Sequence, residues 1–566
     1  MAYYHEIKYD INYAREQQHW NAWGSLDHDF LGRDHMPRIL QLIRQELDVT
    51  SDLSRTPSIS IEDVRLPGIR LKEKELSELH GIVGKSHVRS DDQDRILHSV
   101  GQSYFDIIRL RTNTVKHFVD AVAYPLDDKE IHKILSWCEK NKVALVPYGG
   151  GSSVVGGVEA IKTGKQKAVI SLDLSRLNRP VMLDEYSRLA EFEAGIYGPQ
   201  LEEFLNRRGF TLGHFPQSFE YSTLGGWVAA RSAGQQSNHY GSIHKLVHAL
   251  RLVTSSGTVQ VGGYPSSATG PDLNEFFTGS EGLYGVITSV TVKVHRLPEE
   301  RRYFGIFFPD FKRGVEFVRE VSEEGGELSM VRLSDPAESR LLGLLGQATK
   351  SNGIIQKIQN AIQELILKSF GQPEGRCMVI AGIDGDREYA NRLEILLRGQ
   401  IRKYDGFFAG QSPGKRWMRT RFNMPFLRNH IMESNIGVDT LETATTYSRI
   451  HELHAAVLEA LQSATPHATA MCHLSHSYHD GACLYFTIIF LVDYKDPVAQ
   501  WKRIKKAASE AVLKHGGTIS HHHGVGADHK SWFQQQTDKT VLSGLRAAKS
   551  VFDPEGVLNP GKLFAD

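Results

Sequence analysis

The amino-acid sequence predicts an α+β fold in several parts, and three observations carry that expectation. Short β-branched runs alternate with stretches of helical periodicity, so no single period governs the chain. Val286 to Val294 reads Val-Ile-Thr-Ser-Val-Thr-Val-Lys-Val, the clearest strand present. With 566 residues the chain has room for about two to four domains of roughly 100–200 residues each.

Residues 1–99 mix charged helical stretches with loops, carry Trp20 and Trp23, and form an N-terminal, mostly helical region. Residues 100–297 read as one α+β domain. Asp127 is placed to cap a helix whose Ile131, Ile134, Leu135 and Cys138 share a face. The strand Val143 to Val146 follows and runs into Pro147-Tyr148-Gly149-Gly150-Gly151-Ser152-Ser153. Val169 to Leu174 reads as a buried strand, and Leu189 to Ala194 alternates apolar and acidic residues as a half-exposed strand does. A helix with Leu201, Phe204 and Leu205 inward stops at Gly209, and Pro298 closes the domain.

Residues 298–500 form a second α+β unit, with strands near Tyr303 to Phe308, Met378 to Ile383 and Leu484 to Val492. Residues 501–566 form a C-terminal segment expected to pack back on the first domain. Within the second unit, Ile354, Ile355, Ile358, Ala361, Ile362, Leu365 and Ile366 follow helical spacing. Such a helix packs on its own domain, closes as a lid over an apolar ligand, or touches a membrane surface. The preceding Leu341 to Gly346 is unusually apolar for a connector.

Basic and acidic residues balance at 66 each, so no global charge favours nucleic acid. No apolar run approaches the roughly 18 residues of a membrane span. The first residues lack a signal-peptide layout, and Leu563-Phe564-Ala565-Asp566 is not a peroxisomal address. Cys138, Cys377, Cys472 and Cys483 are scattered and read as reduced, buried thiols. A cytoplasmic or peripheral-membrane location is the expectation.

Two motifs carry chemistry. The Pro147 to Ser153 loop sets three glycines and two hydroxyls directly after a strand, where backbone N–H groups can approach a pyrophosphate. The same composition also serves a plain turn. No Gly-Lys-Ser/Thr closes the loop, so it is not a Walker loop, and it lacks the spacing of a Rossmann fingerprint. The second motif is Ser520-His521-His522-His523-Gly524-Val525-Gly526. Clustered imidazoles suit proton transfer, anion binding or metal ligation. On an extended segment three consecutive histidines point to alternating faces, so they do not all ligate one ion. No metal is assigned.

Further segments follow the glycine loop in a telling order: Pro216-Gln217-Ser218 with Ser222-Thr223-Leu224-Gly225-Gly226, then Ala230-Arg231-Ser232-Ala233, then Glu281-Gly282-Leu283-Tyr284-Gly285-Val286-Ile287. This order resembles the vanillyl-alcohol-oxidase-type flavoproteins. The resemblance implies a two-subdomain FAD-binding domain plus an α+β cap with an antiparallel sheet. It assigns Pro147 to Ser153, Gln217, Ser218, Ser222, Thr223, Gly225, Gly226, Ala230 to Ala233, Glu281, Gly282 and Gly285 to Ile287 to FAD. The glycine loop has no histidine or cysteine, so non-covalent flavin is expected.

The C-terminal Asp553-Pro554-Glu555-Gly556 to Lys562 also resembles the glycolate-oxidase branch, in which an acidic residue precedes a single histidine. Here His522 occupies the acidic position. The His-His-His-Gly-Val-Gly form, Trp20-Asn21-Ala22-Trp23-Gly24 and Ser477-Tyr478-His479-Asp480-Gly481-Ala482-Cys483 instead resemble the alkyldihydroxyacetonephosphate synthase family. His479-Asp480 and Tyr148 depart from its pattern. This resemblance implies a transferase of ether-lipid synthesis, in which a fatty alcohol replaces the acyl group of acyl-dihydroxyacetone phosphate through a flavin N5 adduct without net redox. Tyr478 with His521, His522 and His523 would move the proton. A phenol of ordinary pKa near 10 needs nearby cations for that task. Arg428 would bind phosphate or carboxylate, and Arg332 would hold the flavin side or orient substrate. The helix at 354–366 and the Leu341 to Leu345 turn would line or gate an alkyl tunnel. The rival is a flavin-dependent D-2-hydroxy acid dehydrogenase or oxidase. Partners expected are the two lipid substrates, with peripheral membrane contact and a homodimer as further expectations, and no nucleic acid.

Overall fold

A computed structural model describes residues 11, 13–28, 35–50, 53, 58–323, 328–348 and 375–564. The helix after Asp127 spans Asp128–Asn141, and the Asp127 carboxylate accepts the Glu130 N–H at 2.9 Å. Lys142 ends it in the left-handed region at φ 54, which turns the chain into the strand Val143–Tyr148. That strand lies in a four-stranded sheet ordered 88–89, 121–123, 168–173, 143–148, with its last two pairings parallel. Its apolar side chains are buried throughout 143–146, as a parallel strand covered on both faces requires. The C-terminal segment reaches the same strand: Leu145 N–H donates to Val557 and Asn559 N–H donates to Leu145, both at 2.8 Å. Because 88–89 pairs with 121–123, the first sheet begins before residue 100, where the domain was expected to start.

The second sheet is antiparallel throughout, ordered 180–184, 189–193, 286–293, 247–254, 257–262. Ala190 and Phe192 point inward from the alternating strand and share a core with Leu201 and Leu205 of the helix Gly198–Asn206.

The cap is a seven-stranded antiparallel sheet, ordered 407–408, 300–308, 377–385, 330–334, 468–477, 481–491, 436–446. Helices Phe311–Glu323, Arg387–Lys403, Ile450–Ala464 and Pro497–Lys514 pack on it in one apolar core. The helix Pro497–Lys514 crosses the expected boundary at 500 and buries Trp501, Ile504 and Val512 in the cap, so the C-terminal segment starts there and only later returns to the first domain. Strand alternation turns the other, mostly polar face to a cavity: His473 and Ser475, Tyr485 and Thr487, and Thr440 beside the apolar Val438.

The Leu341 to Gly346 stretch is not a turn. It lies in the helix Pro336–Ala348, begun by Asp335, whose carboxylate accepts the Glu338 N–H at 2.8 Å. Leu341 packs with Met36, Ile39 and Ile43 of the helix Met36–Glu46. The helical pattern at 354–366 lies outside the described residues. Among the described residues no helix is long and apolar enough to cross a membrane.

Candidate active site

A cavity of about 430 Å³ is walled on one side by the glycine loop and residues 216–233, and on the other by the cap sheet. All seven residues from Pro147 to Ser153 line it. Gly151 sits at φ +69, and a Cβ on Gly150 would fall 1.9 Å from the Tyr221 carbonyl oxygen, so the loop needs glycine at both. Among the described residues no protein acceptor takes the N–H groups of Gly150, Gly151 and Ser152. Such donors suit the oxygens of a pyrophosphate. The loop is held from behind by Arg15, which donates to the Gly149 carbonyl at 2.6 Å and to Asp173 at 2.8 Å. The His98 ring bonds the same carboxylate at 2.9 Å. Burial opposes ionisation of Asp173, yet Arg15 and His98 hold it well below the usual carboxylate range. Tyr148, the departure in this loop, lies under the Arg15 guanidinium and donates to the Leu97 carbonyl.

Gln217, Ser218, Ser222, Thr223, Gly225, Gly226, Ala230, Ser232, Ala233, Glu281, Gly282, Gly285 and Ile287 line the same cavity. Arg231 and Val286 do not. Arg231 ends the helix Leu224–Ala230 in the left-handed region at φ 55, and its side chain pairs with Glu275. Val286 opens its strand with the side chain in the core beside Val253. Both were drawn in by adjacency to true cavity residues.

Arg332, Arg428, His522 and His523 line the cavity, whereas His521 and Tyr478 are not among its lining residues. Those two join it through His522. The Tyr478 hydroxyl is 2.5 Å from His521 Nε2, and His521 Nδ1 is 3.0 Å from His522 Nδ1.

The histidine turn is curled rather than extended, which overturns the alternating-face argument. The N–H groups of His521, His522 and His523 all donate to the Glu442 carboxylate, at 2.6, 3.2 and 2.9 Å. Gly524 N–H donates to Ser520 Oγ at 3.1 Å, and Val525 and Gly526 donate to Glu281 at 2.6 and 2.8 Å. Every N–H from His521 to Gly526 thus ends on a side-chain oxygen, and three consecutive N–H groups reach one carboxylate only when the backbone bends around it. Glu442 comes from the cap strand Ile436–Thr446 and Glu281 from the first domain, so the turn is suspended between them.

Burial opposes ionisation of Glu442, but the three imidazoles and Ser520 hold its carboxyl well below the usual range. Burial pushes all three imidazoles down, and Glu442 acts against that. Burial also pushes the Tyr478 phenol up. Burial thus favours the protonated phenol, with its oxygen against one imidazole, that of His521. Glu442, Cys483, His521 and His522 offer ligand atoms within 4.8 Å of one another. Their donors are engaged otherwise: Glu442 is saturated by N–H groups, and burial holds the Cys483 thiol protonated.

Arg332 is paired with Glu338 at 2.9 Å, and Glu338 also bonds His473 Nδ1 at 2.9 Å. Arg428 is different. Its Nη1 donates to the Gln102 carbonyl at 2.9 Å, and its buried Nε has no partner among the described residues. Burial pushes it down to about 10, which leaves it a cation near neutrality. Sequence reasoning missed Gln102 and Glu338 in the cavity wall and Arg15 behind it; Trp23, His473, His476 and Asn559 also line the wall, and Glu442 stands behind it.

Residues 119–263 match the FAD binding domain and residues 297–563 the FAD linked oxidases, C-terminal domain. An alkyldihydroxyacetonephosphate synthase of Trypanosoma brucei brucei is 32% identical over 98% of this chain and 93% of its own length. The chain belongs to the alkyldihydroxyacetonephosphate synthase family. A second synthase of that name, from Dictyostelium discoideum, is 29% identical over 97% of this chain and 94% of its own. A solved alkyldihydroxyacetonephosphate synthase structure superposes with a TM-score of 0.83 at 28% identity, covering 96% of this chain and 99% of the other. FAD is the cofactor, and the synthase-family cavity fits it: the glycine cradle and its unengaged N–H groups face the place a pyrophosphate takes.

Proposed function

We propose that this chain is an FAD-dependent alkyldihydroxyacetonephosphate synthase, which exchanges the acyl group of acyl-dihydroxyacetone phosphate for a long-chain fatty alcohol. One observation carries the reading: the buried cation Arg428, paired with no carboxylate among the described residues, shares a cavity with the imidazoles of His522 and His523. An anionic substrate and a proton to be moved are what that pair serves. FAD, when bound, supplies the covalent chemistry at the substrate carbon without net redox turnover.

Arg428 holds the phosphate or the leaving carboxylate, for which a guanidinium fork suits two oxygens. Arg332 is neutralised by Glu338 and orients that wall of the cavity. His522 and His523 meet the substrate, and His521 and Tyr478 extend the hydrogen-bonded chain away from it.

The test is anaerobic mixing of the holoprotein with acyl-dihydroxyacetone phosphate, followed by fatty alcohol. Flavin absorbance is expected to bleach and then return as the ether product forms. Permanent bleaching by a D-2-hydroxy acid, with no ether product, would replace this reading with a dehydrogenase.

A further inference from the structure

We propose that Glu442 is a positioning residue, which fixes the tautomers of His522 and His521 so that His522 Nε2 meets the substrate as a lone-pair base. The inference rests on the reading above that a substrate carbon loses a proton in this cavity. It follows from the distances around one carboxylate. Glu442 lies 3.6 Å from His522 Nδ1 and 3.8 Å from His523 Nδ1. These separations exceed a hydrogen bond, but of the two Nδ1 atoms that face each other at 3.0 Å, that of His522 is the one close to this buried carboxylate, whose charge draws the shared proton to the His522 side. His522 is therefore protonated at Nδ1.

The rest of the chain follows by elimination. His522 Nδ1–H faces His521 Nδ1 at 3.0 Å, so His521 accepts there and carries its own proton on Nε2. His521 Nε2–H then donates to the Tyr478 oxygen at 2.5 Å. Among the described residues no protein group bonds His522 Nε2, and the ring lines the cavity. That nitrogen is left with its lone pair. The logic is that of a carboxylate holding a catalytic imidazole in one tautomer and stabilising the imidazolium it becomes.

The proton balance is complete within these residues. The substrate C–H proton goes to His522 Nε2, and the electron pair stays on carbon. His522 becomes an imidazolium with both nitrogens protonated, beside the Glu442 carboxylate. The same proton returns to carbon later in the exchange; meanwhile the His522 Nδ1–H stays on the chain to His521 Nδ1, and His521 Nε2–H stays hydrogen-bonded to the Tyr478 oxygen. The groups around Glu442 are otherwise uncharged or distant. Ser520 donates to it, Cys483 is a thiol, and His476 stacks 5.2 Å from His521 and 5.4 Å from His522. Tyr485 lies with its ring against His522 and His523, and Lys505 and Asp439 act on His523 from opposite directions.

The experiment compares the holoprotein with Glu442→Gln by nitrogen-15 NMR of labelled histidines and by steady-state kinetics, with His522 assigned through His522→Asn. The wild type is expected to hold His522 as the Nδ1–H tautomer, and Glu442→Gln to return it to Nε2–H. The kcat should fall roughly 10²- to 10⁴-fold, with KM changed less than about threefold. The acid limb of the pH–rate profile should move to lower pH, because an imidazolium without its carboxylate is easier to deprotonate. Wild-type turnover in Glu442→Gln overturns the proposal, as does lost turnover with the His522 tautomer unchanged. If Glu442→Gln fails to retain flavin, Glu442→Asp keeps the charge and decides the matter: an Nε2–H tautomer there also overturns it. A wild type that makes no ether product while Glu442→Gln still switches the tautomer defeats the proposed function and leaves the positioning role standing.

Discussion

Alanine at position 150 tests the cofactor cradle most directly. Its Cβ would fall 1.9 Å from the Tyr221 carbonyl oxygen, 2.8 Å from the carbonyl carbon and 3.0 Å from Ser222 Cα. All three are backbone atoms, so no rotamer change makes room. Ordinary contact begins near 3.4 Å, and the two segments must therefore part by about 1.5 Å, the difference between 3.4 and 1.9. Overpacking of this kind costs about 1–3 kcal/mol. The free protein relieves it by moving the loop, and the cost returns when the N–H groups of 150–152 must converge on the flavin pyrophosphate. At about 1.4 kcal/mol per tenfold, flavin affinity falls about 5- to 150-fold. The assay is flavin titration of the stripped Gly150→Ala protein, read by quenching of flavin fluorescence. Gly164→Ala is the control, since nothing lies within 4 Å of that position. Wild-type affinity in Gly150→Ala would refute the placement of the pyrophosphate on this loop.

Three further outcomes are expected. Arg15→Met leaves buried Asp173 without its guanidinium, and breaking such a pair should cost about 3 kcal/mol, seen as a lower denaturation midpoint; an unmoved midpoint would show that Arg15 does not brace the loop. Arg428→Leu should raise KM for the phosphate-bearing substrate roughly 10- to 100-fold, as loss of a charge-assisted bond does. Because burial brings Arg428 down only to about 10, wild-type affinity should stay level from about pH 7.5 to 9, above the second ionisation of the substrate phosphate at roughly 6, and a fall within that range would count against a guanidinium site. Burial, with Asp106 close by, pushes Asp528 up to about 8. The folded protein then holds a proton that the unfolded chain releases near pH 4, so stability contributed below pH 4 is lost as pH rises towards 8. Asp528→Asn should flatten that slope in denaturation midpoints taken at pH 5, 7 and 9, and parallel curves for variant and wild type would remove Asp528 as its source.

Much of this was legible because its causes are local. Asp127 and the spacing of Ile131, Ile134, Leu135 and Cys138 place a helix without knowledge of its neighbours, and the glycines of 149–151 announce a close approach whatever approaches. Arg231 and Val286 lie off the cavity wall for the same reason reversed: a motif is contiguous, while side chains at a helix end or along a strand turn away by one residue. Leu341 to Gly346 reads as an apolar connector when taken alone, whereas the Asp335 cap starts a helix six residues earlier that carries it. The histidine turn is the instructive case. Its residues were conspicuous, but its shape is set by Glu442, 79 positions before His521. That carboxylate shares a strand face with Val438 and Thr440, which line the cavity, so alternation alone places an acid there beside an apolar Leu441. A charge in that position must be answered by donors from elsewhere in the chain. A run of six N–H groups with no strand or helix partner is what answers it, and the three imidazoles acquire their protonation pattern as a consequence of where that backbone had to bend.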